Sequence, residues 1–262
     1  MTQATATATD RPARSMKFPQ SLTAAISFVI LLAVAEIAIS AFHVAPYIFP
    51  APSAIAVRLA QDVQSGEVWM NVGITLLEVV LGFFAGAIAA VALGTAVARI
   101  RIVEVILLPY VLVIQTIPKI AIAPLFLIWF GFGLSAKVVS AALLAFFPIF
   151  VNVVSGLKDI DEKRIVLMRA LRATPVQIFL KVRLPSMLPY FFAGMETGIV
   201  FAVLGALVGE YIGGSVGLGA LVIQRQAAMD VAGVFSTLVF LSCMGVTLNG
   251  VVRVAKRRLV DW

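Results

Sequence analysis

Six apolar stretches, each carrying at most two charges, dominate this chain: Leu22–Phe42, Val72–Ala98, Ile102–Phe130, Val138–Leu157, Leu188–Ile212 and Val231–Val252. About twenty helical residues match the ~30 Å hydrocarbon core of a bilayer, and every stretch reaches that length. Composition agrees, with 61% hydrophobic and 13% charged residues against ~45–50% and ~25% in soluble domains. Such a chain cannot cover its surface with polar groups in water. The pattern predicts an all-α integral membrane protein of six transmembrane helices. The longest remaining stretch, Lys158–Met187, falls short of the ~50 residues of an independent domain. Residues 1–20 therefore read as a disordered cytoplasmic head, with alternating Thr and Ala over Thr2–Ala8. Residues 21–262 read as one membrane domain with an internal loop at 158–187.

The net charge of +7 is distributed as a membrane demands, not as nucleic acid would. With the head in the cytoplasm, Arg11, Arg14, Lys17, Arg99, Arg101, the seven basic residues from Lys158 to Arg183, and Arg253, Lys256, Arg257 and Arg258 all lie inside. Only Arg58, Lys137 and Arg225 fall in outer segments, and Lys119 falls within a span. This positive-inside bias predicts both termini in the cytoplasm and lipid headgroups as neighbours of the basic segments. The basic flank before Leu22–Ala38 also imitates a cleavable signal peptide. That apolar region exceeds the usual ~7–15 residues and contains Glu36, and cleavage would leave the other five spans in the same orientation.

A single cysteine, Cys243, and a single histidine, His43, exclude an internal disulfide and argue against a Cys/His metal site. No phosphate-binding loop, zinc-protease or hydrolase-elbow motif occurs, so any ATP is bound by another subunit. Cys243, in mid-span, is expected to pack. Two outer segments look structured. Pro46, Pro50 and Pro52 precede a helix with Ser53 as N-cap and Ile55, Leu59 and Val63 on one face. Gly213, Gly214, Gly217 and Gly219 precede a half-buried helix carrying Leu218, Leu221, Val222 and Met229. Small residues spaced by four, Gly82, Gly86, Ala90 and Gly94 in one span and Gly194, Gly198, Ala202 and Ala206 in another, mark close helix approach, within one subunit or between two.

The loop is the most informative stretch. Asp161 can cap a helix from Glu162 with Ile165, Met168 and Leu171 on one side. Thr174 at N-cap, Pro175 at the first helical position and Gln177 at N3 form a second start signal. Pro185 and Pro189 are expected to close that helix before the next span. Two such short helices bury little against each other, so they either dock on a partner protein or lie on anionic headgroups.

The loop resembles the coupling region of binding-protein-dependent ABC importer permeases, with pattern E-A-A-x-x-x-G-x(9)-I-x-L-P. Aligned on Leu184 and Pro185, Val182 stands at the isoleucine, Arg172 at the glycine, and Val166, Leu167 and Met168 at the triplet. The tail matches and the head does not. Further similarity to the nitrate, sulfonate, taurine and bicarbonate group runs through Pro52–Ala54, Ile114–Gly133, Ala145–Asn152 and Gly217-Leu218-Gly219. The resemblance implies a type I importer permease in the bacterial inner membrane, not itself an enzyme. It implies a second copy in a homodimer, a periplasmic solute-binding protein, and ABC ATPase subunits that hold ATP and Mg. It assigns docking on the ATPase to Met168, Ala170, Leu171, Arg172, Ala173, Thr174, Pro175, Leu184 and Pro185, and a small oxyanion such as a sulfonate as cargo. Where the family has glycine for a turn with φ > 0, Arg172 implies either a rebuilt turn at Ala173 and Thr174 or modest strain.

Glu36, Glu78, Lys119, Glu196 and Glu210 lie inside apolar runs. Each would cost about 2.5–3.5 kcal/mol near the bilayer centre, so they are expected to face protein or water. Lys119 and Glu196 lie deepest and are the candidate pathway groups. Lys119 sits between Pro118 and Pro124, where missing helical hydrogen bonds predict a kink or unwound segment. It either lines the pathway or pairs structurally with Glu78, Glu196 or Glu210. A secondary transporter would need coupling-ion sites and commonly shows repeats, and a membrane enzyme needs ionisable groups clustered at one depth; neither pattern is evident.

Overall fold

The computed structural model describes residues 20–260, with side chains from residue 26 onward except Leu112. The threonine–alanine head and the basic residues Arg11, Arg14 and Lys17 lie outside the described residues. Every regular element described is helical: α1 Gln20–Ala41, α2 Pro52–Ser65, α3 Glu67–Arg99, α4 Arg101–Thr116, α5 Ala123–Phe130, α6 Leu134–Lys158, α7 Glu162–Ala170, α8 Pro175–Ile178, α9 Leu184–Gly213, α10 Leu218–Ala227 and α11 Val231–Leu259. Four helical stretches are long and apolar enough to cross a bilayer: α3, α6, the continuous helix Pro175–Gly213 that contains α8 and α9, and α11. A fifth, α4 with α5, is bent by 89° at its break. Of the first expected crossing, Ile26–Ala41 is the apolar part whose side chains are described.

Helix α6 lies at the centre, packed between α3 and α9. Both small-residue stripes face it. A Cβ at Gly86 would stand 2.5 Å from the Ala142 carbonyl oxygen, and one at Gly194 3.0 Å from Ile149 Cα, so these backbones pack directly. The stripes serve packing within the subunit. With no hydrophobic force between helices in lipid, such van der Waals contact is what holds spans together. Val79, Phe83, Ala145, Ile149, Phe150, Ile199 and Ala206 fill the resulting core.

Several local expectations hold and others need correction. Asp161 accepts from the Lys163 N–H, and Thr174 with Gln177 forms the expected capping box. Pro185 and Pro189 do not end the second helix. A π-helical turn, Phe179–Arg183, carries the chain straight into α9, with the Leu184 N–H bonding the Phe179 carbonyl. Pro185 offers no N–H and its ring needs space behind it, and the widened turn supplies that space. Ser53 is not the cap of α2, which is Ala51; Pro52 opens the helix and places Ser53 inside it. The Ser53 N–H and hydroxyl instead donate to Glu36 at 3.0 and 2.7 Å, tying α2 to α1. Cys243 is exposed, because the buried stripe of α11, Leu241, Met244 and Val252, turns the opposite side inward. In α10, Leu218, Leu221 and Val222 are buried as expected, whereas Met229 lies beyond the helix at φ 57° and is exposed.

Candidate transport path and coupling surface

Between α4 and α5 the helix is interrupted at Ile117 and Pro118 and resumes through a 3-10 turn, Lys119–Ile122. Lys119 sits at this break. Its Nζ donates to the Gln115 carbonyl at 2.8 Å and stands 4.6 Å from the Phe147 ring centroid. Among the described residues it forms no ion pair, so the structural pairing with Glu78, Glu196 or Glu210 is not made. Each of those carboxylates is engaged elsewhere. Glu196 accepts from Lys256 at 3.0 Å, with Arg253 3.9 Å away, which clips α9 to α11. Lys119 and Glu196, both expected at depth, are not bonded to each other among the described residues.

Glu78 pairs with Lys137 at 2.8 Å, both buried. Lys137 also donates to the Val216 carbonyl at 3.1 Å. Beside it, Thr75 donates to Glu210 at 2.6 Å and accepts from the Leu218 N–H at 2.8 Å, while the Gly219 N–H donates to the other Glu210 oxygen. Asn71 receives the Gly217 N–H at 2.8 Å. The carboxylate thus occupies the N-terminus of α10, where free N–H groups and the helix dipole favour negative charge. Gly217 is required here: its φ is +122°, and a Cβ would fall 2.0 Å from Glu210 Oε1. These bonds join α3, α6, α9 and the segment 214–219 into one buried polar knot.

A second knot binds α2, α10 and α11. Arg225 grips Asp62 with two bonds of 2.7 and 2.6 Å and also donates to the Gly233 carbonyl and Thr237, both at 2.8 Å. Ser236 donates to Asp62 at 2.6 Å, and Arg58 pairs with Asp230 at 3.0 Å. Burial alone would raise the Asp62 pKa, but the hydrogen bonds from Arg225 and Ser236 and the charges of Arg225 and Arg58 hold it below the ordinary value. Sequence reasoning placed Lys137 and Arg225 in outer segments and missed both knots. A signal existed for Arg225, which falls on the same helical face as the apolar Leu218, Leu221 and Val222. Lys137 borders an apolar run and offered none.

At the opposite end of α9 lies the candidate coupling surface. Met168 and Ala173 are half-buried, whereas Ala170, Leu171, Arg172, Thr174 and Pro175 are exposed, and Leu184 and Pro185 are half-buried at the start of α9. Leu171 is 69% and Val176 65% exposed, so apolar side chains meet solvent around the turn. Arg172 has φ 57°, so the left-handed turn of the family pattern is kept without its glycine. The strain alternative holds, at about 1 kcal/mol.

The arrangement, long helices packed on a central one with a broken crossing and a helical loop, is that of a transport subunit. The fold is similar to that of the methionine ABC transporter MetNI in inward-facing crystal forms, with a TM-score of 0.64 at 24% identity over 73% of this chain and 97% of that one. Residues 79–261 match the family of binding-protein-dependent transport system inner membrane components, and the chain belongs to that family. Among relatives, it is 35% identical over 216 residues to the riboflavin transport system permease protein RibX of Chloroflexus aurantiacus, covering 82% of this chain and 81% of that protein. It is 30% identical over 215 residues to the putative aliphatic sulfonates transport permease protein SsuC of Bacillus subtilis, covering 82% and 78%. The chain is accordingly the membrane component of an ABC importer, with ATP hydrolysis in a separate subunit and substrate supplied by a binding protein.

Proposed function

We propose that this chain crosses the inner membrane six times with both ends in the cytoplasm, works as a homodimer, and docks its 158–187 loop on ATPase subunits that bind ATP and Mg. A periplasmic binding protein delivers the solute on the other side. The observation that carries this reading is the loop itself: a capped turn held in a left-handed conformation, with Val166, Leu167, Leu171 and Val176 exposed. Exposed apolar groups beside basic ones fit a protein partner that covers them. The contacts fall to Met168, Ala170, Leu171, Arg172, Ala173, Thr174 and Pro175, with Leu184 and Pro185 passing the motion into α9 through the π turn.

For cargo, a small oxyanion such as a sulfonate is supported by Lys119, a cation without a carboxylate partner among the described residues, at a break in a membrane helix. A flavin-like aromatic nutrient is the competing class, favoured by the higher identity to the riboflavin relative. Replacing Ala170 with Glu tests the loop. The ATPase subunits should co-purify with wild type, and the variant should lose substrate-stimulated ATP hydrolysis and uptake while the separate binding protein keeps its affinity. Wild-type coupling in the variant would remove the loop as the transmission element.

A further inference from the structure

Between the loop and the end of α3 lies a cavity of about 480 Å³ lined by Arg99, Arg169 and Arg183 together with Ile165, Val176 and Phe179 among its apolar residues. No acidic residue lines it, and none of the three arginines forms an ion pair among the described residues. The guanidinium of Arg99 lies 3.7 Å from the Phe179 ring centroid, which holds it at the cavity wall. The other side of the same loop differs: the cavity there mixes Asp159 and Asp161 with Arg164 and Lys181. Convergent cations without counter-charges are therefore confined to one face. Of the proposed docking groups, Val166, Leu167 and Leu171 lie outside this cavity, whereas Pro175 and Val176 line it.

We propose that this cavity is a binding site for the phosphate of an anionic phospholipid headgroup. Arg99 is the last residue of α3 and Arg183 directly precedes α9, so both stand where an apolar span ends and the headgroup plane begins. Planar guanidinium groups match phosphate oxygens in paired hydrogen bonds, and the apolar wall accepts the first carbons of the acyl chains. A bound lipid would bridge α3 to the loop, so that ATPase docking senses the state of α3. The inference rests on the loop being cytoplasmic, facing the leaflet rich in anionic lipid.

The test uses the permease co-purified with its ATPase subunits, extracted from nanodiscs containing phosphatidylglycerol and phosphatidylcholine, with retained lipid counted by native mass spectrometry. Wild type should keep phosphatidylglycerol over phosphatidylcholine. The Arg99→Gln/Arg183→Gln double variant should lose that retention about tenfold with its ATPase subunits still attached. Arg99→Lys/Arg183→Lys should keep most of it, and Arg257→Gln/Arg258→Gln, on the same side but away from the cavity, should keep all of it. Equal retention by wild type and the glutamine variant overturns the proposal. So does loss of the ATPase subunits from that variant, which would make the cavity part of the protein interface. Displacement by millimolar inorganic phosphate without headgroup preference would also overturn it, in favour of a free-anion site. Failure of the wild-type ATPase to co-purify would instead count against the coupling reading, and lipid retention can still be read on the permease.

Discussion

The two ends of α9 are built on opposite terms. At the end carrying α10, ionisable groups are buried and paired inside the chain: Glu78 with Lys137, its second oxygen left without a hydrogen bond, Asp62 with Arg225, and Glu210 with Thr75 and the start of α10. At the loop end, hydrogen bonds are mostly local caps, apolar side chains stay exposed, and Arg172 holds a strained turn. The first end is closed almost entirely by the chain's own groups. The second leaves apolar side chains that none of the described residues covers, as the proposed docking requires. A knot of buried ion pairs makes a rigid platform, since separating any pair strands a charge; a loop of short capped helices is kept in shape by whatever it docks on.

The sharpest way to break this contrast is Lys137→Met. It leaves Glu78 buried without its cation, and stability should fall by about 3–5 kcal/mol, read as a large drop in thermal unfolding temperature in detergent. Adding Glu78→Gln should restore much of the loss. If the single variant melts like wild type, that end is not held by the pair.

Asp62→Asn should cost less, about 3 kcal/mol, because the Gly233 carbonyl and the Thr237 hydroxyl still accept from Arg225. The pH response sharpens the point. Asp62 has a folded pKa below its unfolded value of 3.8, so its contribution is fully present above that value and is lost as pH falls through the lowered folded pKa. The difference in melting temperature between wild type and Asp62→Asn should therefore be full at pH 6 and shrink only below about pH 3.8. A gap that closes nearer neutrality would mean that another group controls the knot.

Lys119→Met probes the break between the two ends. With no carboxylate left behind, assembly and melting should match wild type while uptake of a small sulfonate falls on the order of tenfold. Poor folding would place Lys119 in the scaffold, and unchanged uptake in a well-assembled protein would favour an uncharged cargo. The smallest effect is expected from Arg172→Gly. Relief of the left-handed strain is offset in part by the entropy glycine loses on folding, leaving a gain of about 0.5 kcal/mol confined to the loop. Hydrogen exchange of α7 and α8 would register it, and faster exchange there would contradict the strain at that turn.

What the chain order alone determined is whatever depends on neighbours in sequence. The apolar runs gave the helices, the Pro118 and Pro124 flanks of Lys119 marked the broken crossing, and the Asp161 and Thr174 signals marked the starts of α7 and α8, because length, proline geometry and capping are local properties. The turn at Arg172 was offered only by the family resemblance, and the choice between a rebuilt turn at Ala173 and Thr174 and a strained Arg172 waited for the structure. Tertiary structure decided the partners. Lys137 belongs to Glu78 across 59 positions, and Arg225 to Asp62 across 163. Lys119, the cation that chain position offered to Glu78, Glu196 or Glu210, pairs with none of them. A buried charge is satisfied by whichever opposite charge the packing of α3, α6 and α9 brings within about 3 Å, and that packing is set by backbone contact at small residues far apart in sequence.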